Sequence, residues 1–117
     1  MSEQACLAEV VYREARGEPF LGKVAVAHVA INRTKNHKFP KTVCRVINQP
    51  GQFPWATAGY KPSADKESYT IAKMVMDGDL KLDNFDALYF HSKHVNPKWK
   101  LNKVATIANH VFYKDKL

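Results

Sequence analysis

The stretch EQACLAEVVYREARGEP, residues 3–19, reads as one helix and its stop signal. Ser2 stands where an N-cap belongs, Glu3 puts an acid in the first turn, and Gly17 followed by Pro19 ends the helix at about Arg16. Leu7, Val10 and Val11 form an apolar stripe at helical spacing, and the next member of that stripe is Glu14. A carboxylate therefore points where the core is. Glu9, Arg13 and Arg16 fall on the opposite, solvated face. Burial disfavours an ionised carboxylate, and so does the negative end of the helix dipole in the last turn, so both raise the pKa of Glu14. A carboxylic acid that keeps its proton near neutral pH is what acid-catalysed cleavage of a glycosidic bond requires, because the leaving oxygen must be protonated as the bond breaks. The competing reading is a structural carboxylate paired with Arg13, Arg16 or Lys23. Glu18 lies beyond the helix stop and is either a second functional acid or a surface charge.

Leu21 to about Lys35 reads as a second helix, apolar almost all round through Val24, Ala25, Val26, Ala27, Val29, Ala30 and Ile31, so it belongs at the centre of the domain. A loop with Phe39-Pro40 precedes a short helix near Thr42 to Asn48, and Pro50-Gly51 forces a turn. Ser63 caps a further helix that runs to about Asp77, with Ile71, Ala72 and Val75 inward and Gly78 at its end. After Asp86 the period changes. Ala87–His91, Val104–Ile107 and His110–Tyr113 read as strands, the last two joined by Ala108-Asn109, where Asn tolerates the positive φ of a two-residue turn and Ala fits it poorly. A helix through Lys103 to Val111 competes with that hairpin. The expected class is α+β, helices first and a small antiparallel sheet last.

The 117 residues, 45% of them hydrophobic and 25% charged, fit a single globular domain, 1–117, rather than a disordered or fibrous chain. No apolar run is long enough to cross a bilayer and the opening residues lack a secretory signal, so synthesis in the cytoplasm is expected. Cys6 and Cys44 are read as free thiols, two being too few for a disulfide scaffold. The formal charge is +7, and no acid interrupts the seven Lys and Arg between Pro19 and Ala64. Such a surface suits an anionic polymer, either nucleic acid or a bacterial cell wall.

The blocks Tyr12-Arg13-Glu14-Ala15-Arg16-Gly17-Glu18-Pro19, Ile31-Asn32-Arg33, Gln49-Pro50-Gly51-Gln52-Phe53, Ala87-Leu88-Tyr89-Phe90-His91, Val95-Asn96-Pro97-Lys98-Trp99 and Thr106-Ile107-Ala108-Asn109-His110 resemble, in this order, the cell wall hydrolases of the SleB/CwlJ type. These are the spore-cortex-lytic enzymes and related phage endolysins. The resemblance implies a compact lysozyme-like domain, similar to lytic transglycosylases, that cleaves the bond between N-acetylmuramic acid and N-acetylglucosamine. It implies that the first Glu of the Glu-Ala-Arg-Gly-Glu motif, here Glu14, is the catalytic acid, the residue the stripe selects independently. Ser92 and Ala108 depart from the Asn and Gly common in relatives.

Hydrolytic glycosidases pair two carboxyl groups. Only Glu18 or the acids from Asp65 to Asp86 are expected to offer a second one, and a single-acid transglycosylase fits better, with Glu18 or amide dipoles as electrostatic support. Gln52, Tyr89, His91 and Asn96 are expected to hydrogen-bond sugar hydroxyl and N-acetyl groups, with Phe53 and Trp55 as flat surfaces. Each aromatic has an equal claim as core filler. His91, His94, His110 and a Cys match no metal-ligand spacing, Cys44 has no nucleophile signature, and no glycine loop cradles phosphate, so no cofactor is expected. The expected protein is a monomeric phage lysin that acts on peptidoglycan strands and does not bind nucleic acid. The rival reading, a basic nucleic-acid-binding module, leaves Glu14 on its stripe unexplained.

Overall fold

Ser2 caps α1 (Glu3–Ala15), its side chain accepting a hydrogen bond from the Ala5 N–H at 3.0 Å. The computed structural model describes residues 1–116. α2 (Phe20–Thr34) follows after a four-residue break, 16–19, in which Gly17 takes φ 87°, a conformation that admits glycine without strain. Leu7, Val10 and Val11 of α1 and Val24, Val26 and Val29 of α2 are fully buried, and Ala25, Ala27 and Ala30 keep the buried surface of α2 low, so α1 lies close against it. α3 (Val43–Ile47), α4 (Pro54–Thr57) and α5 (Lys66–Met76) complete the helices. α4 was not expected; Pro54 at its first position presets the helical φ without losing a bond.

The sheet has the order β1-β3-β2, all antiparallel, from β1 (Tyr89–Ser92), β2 (Asn102–Ile107) and β3 (His110–Lys114). Phe112 is the sheet's fully buried residue, opposite Phe90 and against Phe85 at 5.2 Å between rings. The expected α+β class is thus present, and the helix through Lys103 to Val111 is not. In the β2–β3 turn it is Ala108, not Asn109, that takes the positive φ, 52°. Asn109 is instead held by Glu18, whose carboxylate accepts its backbone N–H at 2.9 Å and its Nδ2–H at 2.8 Å. An L-residue in that region is strained by about 1 kcal/mol. Ala108→Gly is therefore expected to raise stability by about 0.5–1 kcal/mol, read as a higher denaturant midpoint at unchanged slope.

Three sequence expectations are corrected. Cys6 and Cys44 form a disulfide rather than free thiols, with 5.3 Å between their Cα atoms. The cause is Glu3, whose carboxylate accepts the Val43 and Cys44 N–H groups at 2.6 and 3.0 Å and docks the start of α3 on the first turn of α1. The bridge closes a separation of 38 residues. Its reduction is expected to lower stability by about 2–4 kcal/mol, seen by comparing denaturation with and without dithiothreitol.

Glu9, expected in solvent, is 0% exposed. Its carboxylate accepts from Arg13 Nε at 2.9 Å, the Ser63 N–H at 2.9 Å and the Ala64 N–H at 2.7 Å, and so fastens the loop before α5 onto α1. The cap of α5 differs from expectation as well. Asp65, not Ser63, accepts the Ser68 N–H at 2.9 Å, while the Ser63 hydroxyl donates to the Lys61 carbonyl at 2.9 Å and accepts from Arg13 Nη2 at 3.3 Å.

Candidate active site

A cleft of about 530 Å³ opens between the end of α1, α2, the Gly51–Phe53 turn and the sheet. Glu14, Arg33, Gln52, Phe53, Tyr89 and Trp99 are among its lining residues. Glu14 reaches it from the last turn of α1, half-buried, as the stripe predicts. Removal from water is the main influence on its carboxyl and raises its pKa above the ordinary 4.5. Two features oppose that rise. The Trp55 indole Nε1–H donates to Glu14 Oε2 at 3.0 Å, and the positive charge of Arg33 favours the anion.

Arg33 was quoted from the sequence without a role. It is 5% exposed at the end of α2. Its Nε donates to the Leu88 carbonyl at 2.7 Å and its Nη1 to Gln52 Oε1 at 3.1 Å. Its guanidinium lies over the rings of Phe39, Phe53 and Tyr89 at 5.1, 5.6 and 5.7 Å. Burial pushes its pKa down to about 10, so it stays charged at neutral pH. This one side chain ties together the turn before α4, the entrance of β1 and the floor of the cleft. The Ile31-Asn32-Arg33 block contains it but attaches no chemistry to it, because an arginine near the end of an apolar helix also reads as an ordinary C-terminal charge.

Gln52, Phe53 and Tyr89, three of the residues expected to meet sugar, line the cleft, but with different faces available. Phe53 is only 4% exposed and packs at 5.8 Å from Trp55, so it is mostly wall. Tyr89 donates its hydroxyl to Asp115 Oδ1 at 2.9 Å, and Lys38 Nζ joins the same oxygen at 3.1 Å. Asp115 also lines the cleft, which brings in an acid outside the ranges expected to supply one. Its pKa is lowered by the bonds from Lys38 and Tyr89, which outweigh the opposing effect of burial.

The remaining candidates lie off the cleft wall. Glu18 is occupied by Asn109, and its carboxylate is 3.4 Å from His110 Nδ1. Burial acts to raise its pKa, but the Asn109 bonds and the nearby positive charges win, and the net shift is downward. Glu18 thus pins the hairpin to the α1–α2 corner. His91 stacks on Tyr113 at 5.3 Å with Nε2 3.0 Å from its hydroxyl, and meets the edge of Trp99 at 5.1 Å. It stands behind Trp99, which faces the cleft. Asn96 accepts the Lys98 N–H at 3.3 Å in the exposed loop after β1. Trp55, expected as a flat sugar platform, instead presents its N–H edge to Glu14 while Arg13 covers its face at 5.1 Å. Among the described residues no group of three His, Cys, Asp or Glu side chains could hold a metal ion.

An α+β unit with a desolvated acid at the wall of an open cleft has the makings of a small acid–base enzyme. The model of the Cell Wall Hydrolase family matches residues 17–113, and the chain belongs to that family. The match starts just after Glu14. The spore cortex-lytic enzyme of Bacillus cereus is 36% identical over 112 residues, 92% of this chain and 42% of the relative. That of Bacillus subtilis is 34% identical over 110 residues, 91% of this chain and 35% of the relative. The chain thus spans about two fifths or less of these relatives. Among solved structures, the catalytic domain of the germination-specific lytic transglycosylase SleB from Bacillus anthracis superposes with a TM-score of 0.84 at 30% identity, covering 96% of this chain and 93% of that one. The SleB catalytic domain of Bacillus cereus gives 0.83.

Proposed function

We propose that the chain is one catalytic unit that degrades peptidoglycan as a lytic transglycosylase, with Glu14 as its acid and then its base. The carrying observation is the upward shift of the Glu14 pKa at the wall of the cleft, caused by burial. Protonated Glu14 gives its proton to the oxygen bridging C1 of N-acetylmuramic acid to N-acetylglucosamine, and the C1–O bond breaks. The carboxylate left behind is held by the Trp55 N–H and by the charge of Arg33, and it takes the proton of the C6 hydroxyl as O6 bonds to C1. The product is a 1,6-anhydro sugar, and no water enters. Gln52 and Tyr89, which line the same cleft, supply its polar contacts to the sugar, and Trp99 offers it an exposed ring. The likeness to the SleB catalytic domains, nearly complete in coverage, supports the same chemistry here.

Mass spectrometry of muropeptides released from purified walls tests this reading. Anhydro ends, lighter than hydrated ends by one water, are expected. Reducing muramic acid ends would replace transglycosylation with hydrolysis, and Asp115, the other carboxylate on the cleft, would be its candidate partner. Binding of DNA or RNA with the walls left intact would return the chain to the nucleic-acid reading. The charge of +7 is proposed to hold the protein on anionic wall polymers, and that adhesion should weaken with salt.

A further inference from the structure

A second groove, about 490 Å³, is lined by Tyr12, Arg13, Arg16, Ser63 and Trp55, whose indole N–H bonds the cleft residue Glu14. Among the described residues no acid lines it. The two arginines differ in how much of their charge is free. Arg13 is neutralised by buried Glu9, and its Nη2 is spent on the Lys61 carbonyl at 2.7 Å and Ser63 Oγ at 3.3 Å. Arg16 is exposed and has no carboxylate partner among the described residues. Its guanidinium is nevertheless held in place, stacked 5.1 Å from the Tyr12 ring with Nη1 donating to the Tyr12 hydroxyl at 3.0 Å. The other edge of the fork is left for a ligand.

That preorganisation selects the ligand's chemistry. A neutral sugar would seek an aromatic face, and here the Trp55 ring is already met by Arg13 at 5.1 Å and by the edge of Tyr60 at 5.0 Å. What remains is a planar cation with parallel N–H groups, the shape that pairs with a carboxylate. We propose that the Arg16 groove binds a carboxylate of the peptide stem carried by the muramic acid whose bond is cut. This inference rests on the peptidoglycan reading above. In muramic acid the peptide leaves through the lactyl ether at C3, on the same ring as the scissile C1, so with C1 at Glu14 the stem departs beside the cleft. The Trp55 indole, bonded to Glu14 at one edge and lining the groove, connects the two.

The experiment compares initial rates on glycan strands that keep their peptide stems and on the same strands stripped of them by an amidase, the lactyl carboxylate that the amidase exposes being capped as its methyl amide. The wild-type KM is expected to be about tenfold lower on stem-bearing strands, the size of one charge-assisted hydrogen-bonded pair. In Arg16→Ala the two KM values should converge to within about twofold while kcat on stem-bearing strands changes little, and Arg16→Lys, which keeps the charge without the fork, should fall between. An unaltered melting temperature excludes misfolding, Arg16 being exposed. A wild type that cleaves both strands with the same KM, or an Arg16→Ala loss that is equal on both, overturns the groove and leaves the transglycosylase reading standing. Failure of the wild type to cleave either strand overturns both.

Discussion

Glu14→Gln is expected to lower the turnover of peptidoglycan strands by about 10³-fold and to leave the protein folded. Glutamine keeps the shape and can accept the Trp55 N–H, but it has no proton to give, so the loss should fall on kcat rather than on KM. The pH dependence separates this residue from an ordinary carboxylate. Its working form is the protonated one, so wild-type turnover should persist above pH 4.5, the usual carboxyl value, and fall only as pH rises through the raised value in the folded protein. Stability follows the same sign. A carboxyl whose folded pKa lies above its unfolded pKa contributes fully below the unfolded value, and the contribution is lost as pH rises through the folded one. At neutral pH the wild type must bury part of a charge that Glu14→Gln lacks. The variant should therefore melt at or above the wild-type temperature near pH 8, with the gap closing by about pH 4. Calorimetry across that range, beside a rate profile, checks both halves. A variant with wild-type rates, or a wild-type rate already lost below pH 5, would remove Glu14 from the chemistry.

Trp55 sharpens this expectation. Its N–H favours the carboxylate and so works against the burial that raises the pKa, as does Arg33. A group that must release a proton and then recover one in a single turnover is served by that balance, since neither protonation state is trapped.

The reach of the sequence can be judged from particular residues. Glu14 was legible because its signal is local: three apolar neighbours one and two turns before it on one helix. The strands were legible because their alternation is local too. Glu9 shares the same helix and was misplaced, since its partners at Ser63 and Ala64 lie 54 and 55 residues away and nothing in a helical period reports them. The disulfide was missed for the same reason, its docking by Glu3 being visible only once α3 is laid on α1. Asp115 enters the cleft through Lys38 and Tyr89, partners 77 and 26 residues distant. Trp55 was expected as a flat surface of the cleft and is not one, because its ring direction, edge to Glu14 and face to Arg13, is a property of tertiary packing. Local pattern thus located a carboxylate turned toward the interior, while the groups that surround it came from chain crossings.

Glu9→Ala is expected to be the most destabilising single change, by about 3–5 kcal/mol, because it leaves two backbone N–H groups and a guanidinium without the acceptor they converge on. At about 4 °C per kcal/mol for a domain of this size, the melting temperature should drop by about 15 °C. Glu9→Gln keeps one acceptor oxygen and should lose less. The effect also reaches the cleft through Arg13, which Glu9 holds in place and whose guanidinium supports the faces of Trp55 at 5.1 Å and Tyr60 at 5.2 Å. A Trp55 ring freed from that support donates less well to Glu14, and since that bond favours the carboxylate, its weakening moves the Glu14 pKa further up. At a temperature where Glu9→Gln is still folded, the alkaline limb of its rate profile should therefore lie above that of the wild type, with a lower maximum. A variant that melts early yet titrates like the wild type would show that Glu9 secures the loop before α5 and nothing more, and that Trp55 keeps its aim without Arg13.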